Sequence, residues 1–146
     1  MSIRSSGSIF GESARAHDQP LAARLRPSTV EDIIGHERYL GSEGLIGAMV
    51  LSKKLSSLLL AGPPGVGKTT IAYVLASATS YRFVPLVATS LGVKEIKDAA
   101  VEAERAFQIQ GAKTVLFIDE IHRLTKVQSD ALLLPVEEGI LTLIAA

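Results

Sequence analysis

The chain has 146 residues, of which 47% are hydrophobic and 21% charged, a composition typical of one globular domain. The 15 basic and 15 acidic residues balance, so the net charge gives no indication of a nucleic-acid partner. The absence of cysteine excludes a disulfide framework or a zinc ribbon, and no apolar run is long enough to span a bilayer, so we predict a cytoplasmic protein without a membrane partner.

The first part of the chain differs in composition from the rest. Residues 1–19 are rich in Ser, Gly and charged side chains, which predicts a disordered N-terminal arm. The prolines begin at Pro20, and residues 20–146 are predicted to form the globular core. Within it, Ser28 and Glu31 have the spacing of a capping box for a short helix, and residues 44–53 predict another helix.

Further along, short apolar runs alternate with helical patterns. We predict strands at 58–60, 82–87, 114–118 and 140–144, and helices at 68–78, 93–110 and from Thr125 through 134. Pro85 places the second strand near a sheet edge, since proline cannot donate to a ladder. The helix 93–110 carries one apolar face, formed by Val93, Ile96, Ala100, Ala103 and Phe107. The pattern predicts an α/β three-layer sandwich with a parallel sheet.

The segment between the first strand and its helix reads Gly-Pro-Pro-Gly-Val-Gly-Lys-Thr and matches the phosphate-binding pattern G-x-x-x-x-G-K-[ST]. Glycines allow such a loop to wrap around phosphates, and the N-terminus of the following helix attracts an anion. We predict that Lys68 reaches the β- and γ-phosphates of ATP and that the Thr69 hydroxyl binds Mg²⁺. The predicted nucleotide-binding residues here are Gly62, Pro63, Pro64, Gly65, Val66, Gly67, Lys68, Thr69 and Thr70.

Two carboxylates follow the third predicted strand. Asp119 and Glu120 therefore lie at the edge of the sheet where α/β proteins bind ligands. We predict that Asp119 holds Mg²⁺, through water, and that Glu120 polarises the attacking water, so Glu120 and Lys68 are the predicted catalytic residues. His122 is interpreted as structural and is left out of the site.

Four stretches taken together resemble a known family: QPLAARLRPSTVEDIIG, TSLGVKEIKDA, VLFIDEIHRL and QSDALLLPVEEG. With the phosphate loop, they are similar to the AAA+ ATPases of the replication-associated recombination protein A family, the bacterial relatives of the Werner-interacting ATPase. The resemblance runs from about Gln19 to the last residue. It implies the P-loop NTPase (AAA+) fold, with the fourth strand between the strand before the phosphate loop and the strand before Asp119.

The resemblance also implies a function and further site residues. It implies an oligomeric ATPase that acts on DNA forks and single-strand/duplex junctions, near the nucleoid and single-strand-binding protein. It implies that Arg24, Pro27, Ile34 and Gly35 border the adenine. The family's polar sensor, arginine finger and helical lid have no match here. We therefore expect the chain to be the N-terminal part of such a protein, truncated after the fourth strand. We expect this part alone to hydrolyse ATP weakly or not at all.

Two other interpretations stay open at this point. VLFIDEIHRL alone also resembles Holliday-junction branch-migration motors and clamp-loader subunits. A third possibility is a nucleotide-binding interaction module without turnover, against which the intact Lys68, Thr69, Asp119 and Glu120 argue. Lys94, Lys97, Arg123 and Lys126 could form a DNA-facing surface, although solvated helix faces explain them equally well.

Overall fold

The computed structural model describes residues 27, 29–30, 32–33, 37–41 and 43–146. The predicted arm 1–19 and the predicted capping box of Ser28 with Glu31 lie outside the described residues. The helices are α1 (Glu37–Leu40), α2 (Leu45–Ser52), α3 (Lys68–Ala78), α4 (Val93–Gln110) and α5 (Lys126–Glu137). The strands are β1 (Leu58–Leu59), β2 (Arg82–Val87), β3 (Thr114–Asp119) and β4 (Leu141–Ala145), and short 3₁₀ turns follow β2 (Ala88–Ser90) and β3 (Ile121–Arg123).

The strands form one parallel sheet in the order β1-β4-β3-β2, so β4 lies between β1 and β3 as the resemblance implies. Pro85 lies in β2, which forms one edge of the sheet, and this confirms its predicted position. In the described part of the chain, β1 forms the other edge. Leu59 in this edge strand is 69% exposed.

The sheet is covered by helices on both faces, which confirms the predicted α/β three-layer architecture. Alternate residues of β3 point to opposite faces, as the period of a strand requires. Val115 and Phe117 pack in a core cluster with residues of α2 and α3, whereas Leu116 and Ile118 pack in a second cluster with residues of α4 and α5. Because β3 is buried on both sides, it holds the two clusters and the residues at its end in fixed positions.

Helix α4 has the predicted bounds. It ends because Gly111 adopts the left-handed conformation, with φ of 66°, that terminates many helices. On the predicted apolar face, Ile96 and Ala103 are buried, whereas Phe107 is 55% exposed. The core cluster extends along α4 only as far as Ala103, and the apolar pattern continues beyond the surface that it packs against.

Helix α5 begins with the predicted capping box of Thr125 and Gln128. It was predicted to end at Leu134, before Pro135, but it continues to Glu137 with the proline inside it. Proline removes one N–H donor, and the helical pattern resumes beyond it, where Glu138 N donates to Leu134 O at 2.9 Å.

Among the residues that the structure describes, no helix is both long and apolar enough to cross a membrane.

Candidate nucleotide-binding site

The phosphate-loop sequence forms the connection between β1 and α3. Gly65 and Gly67 have φ of 82° and 87°, in the left-handed region that side chains disfavour. A Cβ atom added at either position would meet nothing within 4 Å, so these glycines are required by the backbone conformation and not by lack of space. Gly67 is also the residue from which α3 begins.

The N-terminus of α3 is open toward the loop. Its first turn contains no acidic residue, and no side chain caps it. The backbone N–H groups at the start of a helix lack intrahelical partners and carry the positive end of the helix dipole. The first described bond of this helix is from Ile71 N to Gly67 O, at 2.9 Å. The donors of Lys68, Thr69 and Thr70 can therefore bind an anion.

The Lys68 ammonium group lies against the loop that precedes it. Its Nζ donates to Gly62 O at 2.6 Å and lies 3.4 Å from Pro63 O. This contact joins the two ends of the loop and holds a positive charge within it. The loop borders a cleft, and within the described part of the chain the only anionic side chains that line this cleft belong to the wall formed at the end of β3.

On that wall, Asp119 is the last residue of β3. Its Oδ1 accepts a hydrogen bond from Glu120 N at 2.9 Å. Glu120 adopts the left-handed conformation, with φ of 56° and ψ of 44°, which is costly for a residue with a side chain. Its Oε2 lies 3.8 Å from Arg123 Nε in the following 3₁₀ turn.

The two motifs line one cleft of about 870 Å³. All predicted loop residues except Pro63 and Val66 line it, together with Asp119 and Glu120. The fold also brings in Val87, Ile121, His122 and Ala146. His122, which was predicted to be structural, therefore lines the cleft beside the predicted carboxylates, and no local signal in the sequence indicates Val87.

A smaller cavity of about 250 Å³ lies beside the phosphate loop. Pro27, one of the residues predicted to border adenine, lines it with Ile33, Val66 and Thr70. Ile33 is not among the residues predicted to border the adenine, whereas its neighbour Ile34 is. Arg24, Ile34 and Gly35 lie outside the described residues, so their predicted role stays a prediction.

Comparisons with known proteins agree with this geometry. Replication-associated recombination protein A of Bacillus subtilis is 43% identical over 128 residues, which are 88% of this chain and 29% of that protein. The ATPase WRNIP1 of Dictyostelium discoideum is 44% identical over 127 residues, 87% of this chain and 14% of that protein. These similarities confirm the predicted resemblance. The chain spans only 14% to 30% of the lengths of these and the other curated relatives.

Solved structures share the fold. The Holliday junction branch migration motor RuvB of Thermotoga maritima superposes with a TM-score of 0.65 at 32% identity, over 84% of this chain and 41% of that one. The family model of ATPases associated with various cellular activities matches residues 58–142, which include the phosphate loop and both carboxylates. The chain therefore belongs to this AAA family of ATPases.

Proposed function

We propose that this chain is the ATP-binding and ATP-hydrolysing module of a protein that acts in replication-fork maintenance, recombination and repair of DNA. The observation that carries the proposal is the cleft itself. A basic phosphate loop with an open helix N-terminus lines the same cleft as Asp119 and Glu120. The names of the relatives supply the link to DNA.

The cleft fits a magnesium nucleotide in size and in chemistry. Its volume of about 870 Å³ is within the usual range for small-molecule sites, roughly 300–1,000 Å³. Lys68 and the N–H groups of the first turn of α3 would bind the phosphates. Thr69 and Asp119 would hold Mg²⁺, the usual ion in such sites, which commonly keeps several waters and needs few protein ligands.

The residues have distinct roles in hydrolysis. Magnesium held by Thr69 and Asp119 would supply positive charge near the phosphoryl group. Lys68 leaves its loop carbonyls to hold the β- and γ-phosphates, while the glycine conformations keep the N–H groups directed inward. Glu120 orients a water molecule and accepts its proton. The adenine would be bordered by Pro27 and Ile33, together with the residues that the resemblance implies, Arg24, Ile34 and Gly35.

The partners are also part of the proposal. We assign DNA forks and single-strand/duplex junctions, single-strand-binding protein and further copies of the chain as partners, and a cytoplasmic, nucleoid-associated location. The basic side chains give limited support for a DNA surface here. Lys94 Nζ lies 3.6 Å from Asp98, and Arg123 pairs with Glu120, so these two cations are already partly neutralised.

The test is phosphate release by the complete gene product with no DNA, single-stranded DNA, a forked duplex and a four-way junction. We expect the fork or the single strand to stimulate release most. Glu120→Gln should keep ATP bound and slow release about 10²–10⁴-fold, because the amide cannot accept a proton. Equal, measurable rates in the parent and Glu120→Gln would place the proton acceptor elsewhere, whereas no phosphate release by the parent would favour a nucleotide-binding module without turnover.

A second candidate is a Holliday-junction motor. The structural likeness to RuvB favours it, whereas the higher identity to the recombination proteins argues against it. Strongest stimulation by the four-way junction, together with movement of its branch point, would support this alternative over the first.

We further propose that these 146 residues alone bind ATP weakly and hydrolyse it negligibly. In related P-loop systems an arginine supplied in trans is worth about 10³–10⁵ in rate, and the resemblance assigns it to residues that have no match here. The exposed apolar edge of β1 would also reduce the fraction of competent molecules. Turnover of this chain equal to that of the complete gene product would contradict the proposal.

A further inference from the structure

The side chain of Gln128 contacts two loops at once. Its Oε1 accepts hydrogen bonds from Thr125 N at 2.7 Å and from Thr125 Oγ1 at 2.9 Å, at the start of α5. Its Nε2 donates to Leu91 O, which is 37 residues away in sequence. The carbonyl oxygen of the amide thus accepts the hydrogen bonds of the helix cap, and its amino group donates to a distant part of the chain.

The two loops flank the carboxylate wall of the cleft. Leu91 follows the 3₁₀ turn at the end of β2. Thr125 lies two residues after the 3₁₀ turn Ile121–Arg123, whose N-cap is Glu120. Strands β2 and β3 are adjacent and parallel, with Val87 opposite Asp119, so both loops emerge at the same edge of the sheet. Val87 and Glu120 line the same cleft.

The turn that carries Glu120 is held from several directions. Ile121 N donates to Ala146 O at 2.9 Å, which ties the turn to the end of β4. Arg123 N donates to Glu120 O at 2.8 Å, within the turn. On the β2 side, the amide of Gln128 supplies the hydrogen bond to the neighbouring loop. A left-handed Glu120 persists only where its surroundings hold it, so these ties maintain its conformation.

We propose that Gln128 is a positioning residue for ATP hydrolysis, which fixes the Glu120 turn against the loop after β2. This inference rests on the proposed role of Glu120 as the proton acceptor. Gln128 itself does not line the cleft, whereas residues of the phosphate loop do. Loss of its Nε2 donor therefore lowers kcat and leaves ATP affinity unchanged.

Gln128→Glu separates the two contacts. Glutamate is as good as glutamine at this position of a capping box, so the acceptor for Thr125 N is kept. The carboxylate cannot donate to Leu91 O, so the tie between the loops is lost. Misplacement of a catalytic group by about 1 Å can cost roughly 100-fold in rate, so we expect kcat to fall by up to about 100-fold.

The experiment compares kcat, KM and the affinity for a fluorescent ATP analogue in the complete gene product. Ser129→Glu is the control for charge, since it places a carboxylate on the neighbouring, exposed residue without touching Leu91. Thr125→Ala is the control for helix capping, since it removes the hydroxyl and retains the Gln128 amide. We expect kcat to fall only in Gln128→Glu, while analogue affinity stays within twofold of the parent in all three.

Amide hydrogen exchange gives a second readout that does not depend on turnover. The segments 88–92 and 119–125 should exchange faster in Gln128→Glu than in Ser129→Glu. Unchanged exchange or unchanged kcat would overturn the inference, as would an equal loss of kcat in either control. A parent protein whose segments 88–92 and 119–125 are protected from amide hydrogen exchange but which never releases phosphate would instead overturn the proposed function.

Discussion

Glu120 connects the stability of this protein to its activity. It is one of three described non-glycine residues with positive φ, and it begins the turn that carries the carboxylate wall of the cleft. We predict that Glu120→Gly is more stable than Glu120→Ala. At most positions within a helix or strand the alanine variant is the more stable of the two. Both variants should lose turnover, because neither retains the proton acceptor.

The magnitude follows from the conformation. The left-handed backbone costs a residue with a Cβ roughly 1–2 kcal/mol, a cost that glycine avoids. Glycine has more freedom to lose on folding, which offsets roughly 0.4–1 kcal/mol of this advantage. The pair with Arg123 is absent from both variants, so its contribution cancels. The free energy of unfolding should therefore be about 0.5–1 kcal/mol higher for Glu120→Gly.

The assay is chemical denaturation of both variants followed by circular dichroism, with Glu120→Gln as the isosteric reference. Phosphate release should be about 10²–10⁴-fold slower in all three than in the parent. The reasoning would be refuted if Glu120→Ala were as stable as Glu120→Gly or more stable, since the left-handed conformation would then cost no more than the freedom that glycine loses on folding.

Two further predictions concern the loop and the core. Lys68→Ala should weaken ATP binding by roughly 10- to 100-fold, because a charge-assisted hydrogen bond is worth about 1.5–3 kcal/mol. Calorimetry measures the ATP affinity of this variant and of the control Lys97→Ala, at an exposed lysine. Equal affinities in the two variants would show that the assignment of Lys68 is wrong. Phe117→Ala should cost about 3–5 kcal/mol of unfolding free energy, since Phe117 is 2% exposed between two layers. Phe107→Ala, at a side chain that is 55% exposed, should change it by less than about 0.5 kcal/mol in the same denaturation experiment.

Patterns within a few residues predict the elements whose stabilising contacts are local. Helix α4 has the bounds expected from its apolar repeat and from Gly111 directly after it. The cap of α5 follows from a threonine and a glutamine three residues apart. The phosphate loop is predicted for the same reason, since contiguous residues supply its glycine conformations and the helix start.

Contacts between distant segments decided the rest. Phe107 and Leu59 are exposed although their local patterns are apolar, because burial depends on whether another layer reaches that point. Helix α5 continues through Pro135, since the helical bonds beyond it and the packing of Leu132 and Val136 outweigh one lost donor. The order of the strands came from the resemblance, because nothing in an apolar run specifies its neighbour.

The candidate site likewise combines residues that short motifs predict with residues that only the fold brings together. Short motifs are enough to predict which residue types could bind phosphate and magnesium, because each motif carries its chemistry within a contiguous segment. The three-dimensional fold was needed to show that Val87 and His122 line the same cleft and that Ile33 borders the smaller cavity. It also decided the bond from Gln128 to Leu91, since parallel strands bring together loops that the sequence separates by a whole helix and strand.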